Sequence, residues 1–152
     1  MVELRRLLGV LRDDRPTGTE PRPGIDRLPD LVERVRAAGV PVELDVVGER
    51  RPVDDGVDVS TYRIVQEALT NVVRHAPGAT ARVALTWSPA ALDLVVVDDG
   101  PGPATGPDPG VAGRGLVGIR ERVALLDGDL DVGPAPEGGF RVAARLPLGC
   151  PP

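Results

Sequence analysis

Three groups of residues have the types and spacing to do chemistry. The first is Arg63, Glu67, Asn71 and His75. They step by four and so share one face of a helix. Gln66 and Asn71, the only amide side chains in the sequence, both fall on this stretch. An amide carbonyl is a hard, neutral ligand suited to Mg²⁺, and a neighbouring carboxylate can hold a water or act as a base. The same spacing also suits a solvated helix face carrying an Arg63–Glu67 pair. The second group is Asp98-Asp99-Gly100-Pro101-Gly102. It follows a stretch in which Leu92, Leu94 and Val96 alternate on one face, and Asp98 continues that row inward. A half-buried carboxylate needs hydrogen-bond donors, and the exocyclic amine of a purine would be one. A surface turn is the competing reading, because Asp-Gly is common in turns. The third group is Gly113-Arg114-Gly115-Leu116-Val117-Gly118 at the opening of a helix. Free N–H groups at such a start bind phosphate. The pattern matches G-x-G-x-x-G, but a dinucleotide fingerprint follows directly on a strand, and here a Gly/Pro-rich loop comes first.

Other chemistries are closed off by what the sequence lacks. With one His (His75) and one Cys (Cys150), no His/Cys metal cage can form. The two serines, Ser60 and Ser88, stand outside any G-x-S-x-G. All 18 basic residues are Arg, so the Lys of a P-loop is missing. Aromatics at 2% give no base-stacking platform. A net charge of −5 argues against sequence-independent nucleic-acid binding. The longest uncharged run, residues 83–92, is about half a membrane span, so no membrane contact is expected. The charged N-terminus is no signal peptide, and the cysteine usage suggests a reducing, cytoplasmic setting.

The elements that must position these groups follow from periodicity. Leu4, Leu7, Leu8 and Leu11 mark a short amphipathic helix over residues 2–13. A Gly/Pro-rich linker at 15–24 separates it from the rest. Residues 25–38 form a helix with Leu28, Leu31, Val32 and Val35 on one face and Gly39 as its stop. Residues 40–47 alternate as a strand. Residues 58–75 are the longest helical stretch, with Tyr62, Val65, Leu69, Val72 and Ala76 as its apolar stripe. Strands at 81–87 and 91–97 flank a Ser88-Pro89 turn as a hairpin. Residues 100–113, nine of them Gly or Pro among fourteen, are expected to be a mobile loop. A helix at 116–126 and strands at 129–132 and 140–146 around Gly138-Gly139 complete the domain, 25–148, before a tail at 149–152. This order describes an α+β sandwich with a mixed sheet covered on one face by helices.

In this order and spacing the three groups resemble the ATP-binding domain of sensor histidine kinases, the Bergerat fold shared with gyrase-type and MutL-type ATPases. Residues 66–76 resemble the N-box. Asp98-x-Gly100-x-Gly102 resembles the G1 box. Gly113-x-Gly115-Leu116-x-Gly118-Ile119-Arg120-Glu121-Arg122 resembles the G2 box, in the version found in kinases that partner NarL-like regulators. Gly138-Gly139-Phe140 occupies the final Gly-Thr block, with Phe140 where Thr is usual. Residues 1–14 are similar to the end of the second helix of a dimerisation and phosphoacceptor domain, whose first helix, with its phosphorylatable His, is missing.

The resemblance implies a nucleotide between the sheet-covering helices and a lid loop, and a role for each residue. Asp98 would accept from the adenine amine, and Gly100 and Gly102 would let the backbone approach the base. Asn71 would ligate Mg²⁺ bridging the phosphates, with Glu67 ordering a water or acting as base. His75 or Arg74 would contact phosphate. Gly113, Gly115 and Gly118, with Leu116, would form the lid hinge and cradle the triphosphate. The implied activity is γ-phosphoryl transfer from MgATP to a His on a separate dimerisation domain, with a NarL-like response regulator downstream. An anti-sigma-factor-type serine kinase and a non-catalytic nucleotide-binding module are the alternatives. Among the residues themselves, intact Glu67 and Asn71 favour an enzyme.

Overall fold

The structure is a computed structural model that describes residues 22–76, 78–100, 112–136 and 138–149, without the side chains of 112–114. The expected helix at 2–13, the loop residues 101–111 and the end of the tail lie outside the described residues.

A short 3-10 turn, Ile25–Arg27, leads into helix α1, Leu28–Ala37. Pro29 sits in its first turn, where the missing N–H costs nothing. Its buried residues are Leu28, Leu31, Val32 and Val35. Gly39 ends it at φ +98°, in the left-handed region that favours glycine. Helix α2, Asp55–His75, begins three residues before the apolar periodicity indicates. The cause is a cap: Asp54 accepts the Val57 N–H at 3.0 Å. Asp55 and Asp58 in the first turn and Arg74 and His75 in the last also suit the helix dipole. The apolar face of α2 is wider than a single stripe, because Ile64, Ala68 and Val73 are buried as well. This helix packs at once on the sheet, on α1 and on helix α3, Ala112–Leu125.

Strands β1 (Val42–Val47), β2 (Ala81–Trp87), β3 (Ala91–Asp98), β4 (Asp129–Pro134) and β5 (Phe140–Pro147) form one sheet in the order β1-β2-β3-β5-β4. β1 runs parallel to β2 and every other pair is antiparallel. A parallel pair needs a long crossover, and α2 lies in it. The hairpin β2–β3 closes through Ser88, whose Oγ accepts the Ala91 N–H at 3.1 Å and donates to the Ala91 carbonyl at 2.9 Å. Register places Val83, Val96 and Val142 in one row and Leu85, Leu94 and Ala144 in the next, all buried under the helices. The opposite face carries ion pairs, Arg82 with Asp45 at 3.0 Å and Arg145 with Asp93 at 3.3 Å. Such exposed pairs contribute little, so the single-sided core holds the sandwich together.

Candidate nucleotide-binding site

Alternation along β3 decides which of two adjacent aspartates can serve a pocket under the helices. Asp98 continues the row of Leu92, Leu94 and Val96 and is 7% exposed. Asp99 turns the other way, where its Oδ1 accepts the Thr80 N–H at 2.7 Å. One oxygen of Asp98 is occupied: Oδ1 accepts the Gly100 N–H at 2.9 Å. No hydrogen bond within the described residues reaches Oδ2, which is therefore free to accept one. A cavity of about 460 Å³ also opens at this end of the sheet, but its wall includes the outward row Arg82, Val97 and Arg141. Asp98 and Asp99 also stand in that wall, while alternation along β3 carries the Asp98 side chain to the helix-covered face.

The surroundings of Asp98 are closely fitted. A Cβ on Gly100 would lie 2.9 Å from the Ala76 Cβ and 3.0 Å from Asp98 Oδ1. A Cβ on Gly139 would lie 1.9 Å from the Asp98 carbonyl oxygen, and Gly139 stands at φ +87°. The turn before β5 is thereby pressed onto the end of β3. Gly139 is a site residue that periodicity does not reveal; the signal in the sequence is the paired Gly138-Gly139, read there only as a turn and a motif block. Phe140, in place of the usual Thr, is half-buried and packs against the core.

Further back along α2 lie Glu67 and Asn71, both half-buried, one helical turn apart. The third motif meets them there. A Cβ on Gly115 would sit 2.9 Å from Glu67 Oε2 and 3.8 Å from both amide atoms of Asn71. The glycine block therefore closes on the helix that carries the amide and the carboxylate. It does so from inside a helix, since α3 already begins at Ala112 and not at 116. Leu116 packs against the core, and the Cβ position of Gly118 faces open space. Gly113 falls in the first turn of α3. Arg74 is half-buried, His75 is exposed at the end of α2, and Gly102 lies outside the described residues.

No cluster of three or more His, Cys, Asp or Glu side chains among the described residues could hold a metal by itself. An Mg²⁺ held mainly by phosphates and water would ask the protein for one or two oxygen ligands. Asn71 and Glu67 fit that demand. From Ala76 to Glu67 the helix rises roughly 14 Å. Along this length the site passes from the buried Asp98 carboxylate to an oxygen-rich, half-open end beneath a glycine-bearing helix.

Residues 56–149 match the family of histidine kinase-, DNA gyrase B- and HSP90-like ATPases. The sensor histidine kinase YxjM of Bacillus subtilis is 32% identical over 129 residues, which cover 82% of this chain and 30% of that protein. The signal transduction histidine-protein kinase/phosphatase UhpB of Salmonella typhimurium is 32% identical over 144 residues, 95% of this chain and 28% of that protein. The chain thus spans less than a third of the length of these relatives. Among solved structures, the ATP binding domain of PrrB from Mycobacterium tuberculosis superposes with a TM-score of 0.56 at 27% identity, covering 80% of this chain and 94% of that one. With the fold, the three motifs and the family match in agreement, the chain belongs to the histidine kinase-, DNA gyrase B- and HSP90-like ATPase family.

Proposed function

We propose that this chain is the ATP-binding catalytic domain of a two-component sensor histidine kinase, which transfers the γ-phosphoryl group of ATP to a histidine on a separate segment or chain. The observation that carries the reading is the convergence of three sequence-distant motifs along α2: Gly100 at Ala76, Asp98 just beyond it, and Gly115 over Glu67 and Asn71. In this reading Asp98 Oδ2 accepts from the adenine amine. Gly100 keeps the wall thin enough for the base. Asn71 offers its carbonyl to Mg²⁺, and Glu67 orders a water or the acceptor. Mg²⁺, when bound, would neutralise phosphate charge that a chain without Lys can otherwise meet only with Arg and backbone N–H groups. Arg74 and His75 lie at the same end of α2 as Ala76, within reach of a bound nucleotide. Gly102 shares with Gly100 the role of letting the backbone approach the base, and Gly113 and Gly118 form the lid hinge. The acceptor histidine belongs to a dimerisation domain, the next partner is a NarL-like response regulator, and the domain works in the cytoplasm. No helix among the described residues is long and apolar enough to cross a membrane.

The only histidine, His75, sits on the helix that forms the pocket wall, a poor place from which to meet a γ-phosphate in line. Incubation with γ-labelled ATP should therefore leave the isolated chain unlabelled. An added four-helix acceptor domain from a cognate kinase should gain acid-labile, base-stable label. Stoichiometric label on the chain itself, lost in His75→Ala with nucleotide binding retained, would overturn this assignment.

A further inference from the structure

The α2–α3 interface carries positive charge that the roles assigned above leave unused. The two helices run antiparallel. Gly115, near the start of α3, meets Glu67 and Asn71, and Leu126, just past its end, lies 3.4 Å from the Cβ position of Gly56 at the start of α2. Arg122 follows Gly115 by two turns on the same side of α3. This brings it towards the level of Arg63, which precedes Glu67 by one turn on α2. Arg63 is half-buried and donates to Gln66 Oε1 at 2.8 Å, which holds its stem along the helix. Arg122 is also half-buried, yet no hydrogen bond or ion pair joins it to another described residue. Burial, and then the positive charges of Arg63 and Arg22, hold its guanidinium below its ordinary basicity, while Glu67 acts in the opposite sense. Two guanidiniums, Arg63 on α2 and Arg122 on α3, thus lie on facing helices next to the turn that carries Glu67. Like charges in a half-buried place repel one another, and a multiply charged anion would offset that repulsion.

Resting on the nucleotide reading of the site, we infer that Arg122, flanked by Arg63, binds the terminal phosphate of the nucleotide beside Glu67. The placement along α2 selects that phosphate. Asp98 marks the base end and Asn71 the middle, so only the far end of a phosphate chain reaches the level of Glu67, Arg63 and Arg122. The chemistry agrees, because a guanidinium matches two phosphate oxygens at once. The consequence is that the chain tells a nucleoside triphosphate from a diphosphate with its own cations.

Calorimetric titration with ATP and with ADP, both in EDTA, isolates this contribution from any metal. The unsubstituted chain should bind ATP more tightly than ADP. Arg122→Gln should weaken ATP by about tenfold and leave ADP unchanged, and Arg122→Lys should recover part of the loss. ADP binding in each variant reports a folded site. Should Arg122→Gln fail to fold, the ATP-to-ADP preference of the unsubstituted chain decides instead, and it should narrow as salt is raised. Equal affinity for the two nucleotides in EDTA, or an equal loss of both in Arg122→Gln, overturns the inference. Failure of the unsubstituted chain to bind either nucleotide removes the site itself, and the inference with it.

Discussion

The two ends of the site are built by different means. At the end proposed for the base, contacts are backbone against backbone or against short side chains. Gly139 lies on the Asp98 carbonyl, Gly100 on the Ala76 methyl, and Asp98 Oδ1 is tied to the Gly100 N–H. Nothing there can give without moving a strand. At the end proposed for the phosphates, Gly115 faces the tip of the Glu67 side chain and the amide of Asn71, groups that can rotate. Both of these side chains are half-exposed, whereas Asp98 is buried. A rigid recognition end and an adjustable chemical end suit a ligand whose base is constant and whose phosphate chain changes during turnover.

This contrast breaks most easily at Gly139. Its positive φ, and the Asp98 carbonyl oxygen standing where a Cβ would go, leave no room for a methyl group. Left-handed strain and overpacking each cost about 1–3 kcal/mol. Gly139→Ala should therefore lose roughly 3 kcal/mol of stability in a urea titration, with nucleotide binding lost too. A loss under about 1 kcal/mol would mean that the turn before β5 is free to move and that the base end is not rigid. Asp98→Ala comes next. A hydrogen bond to a charged acceptor contributes about 1.5–3 kcal/mol, so ADP affinity should fall roughly ten- to a hundredfold. Unchanged ADP affinity in the variant would place the base elsewhere.

The same contrast explains what could be read from the sequence. The inward placement of Asp98 was legible because strand alternation is a period of two, and the apolar row Leu92, Leu94, Val96 points directly to it. Asn71 and Glu67 were legible from their four-residue step and from the scarcity of amides. The sandwich class and all five strands followed from apolar patterning, with ends shifted by one or two residues. Helix starts fared less well, because a cap is a local side-chain event. Asp54 begins α2 earlier than the apolar stripe does, and α3 starts within a glycine-bearing stretch that propensity assigns to a loop. The insertion of β5 between β3 and β4, and the parallel pairing of β1 with β2, depend on long-range packing that no window of sequence contains. Gly139 was legible only as part of a turn and a motif block, since what matters about it is a neighbour far away in the chain.

At the phosphate end, Asn71→Ala should lower affinity for ATP in Mg²⁺ by about tenfold, the loss of one ligand group. Affinity for adenosine should stay unchanged, because Asn71 stands away from Asp98 along α2. Comparing the two ligands by calorimetry sharpens the division between the ends. Equal losses for both would make Asn71 a structural residue of the helix and would merge the two ends into one.

The smallest effect on stability should come from Gly115→Ala, the counterpart of Gly139→Ala. Here the new methyl would stand 2.9 Å from Glu67 Oε2, the far end of a flexible side chain that can swing aside. Gly115 also lies within α3, where replacing glycine by alanine favours the helix by up to about 1 kcal/mol. The two terms oppose each other, so the urea midpoint should hold steady or rise slightly. Function should respond differently, because a displaced Glu67 carboxylate and a filled space beside Asn71 disturb the place assigned to the phosphates. ATP turnover should drop while ADP affinity changes by no more than a few-fold, about 1 kcal/mol or less. A stability loss as large as that of Gly139→Ala would show that α3 is clamped to α2 as tightly as the turn before β5 is to β3, and the distinction between a fixed and an adjustable end would fail.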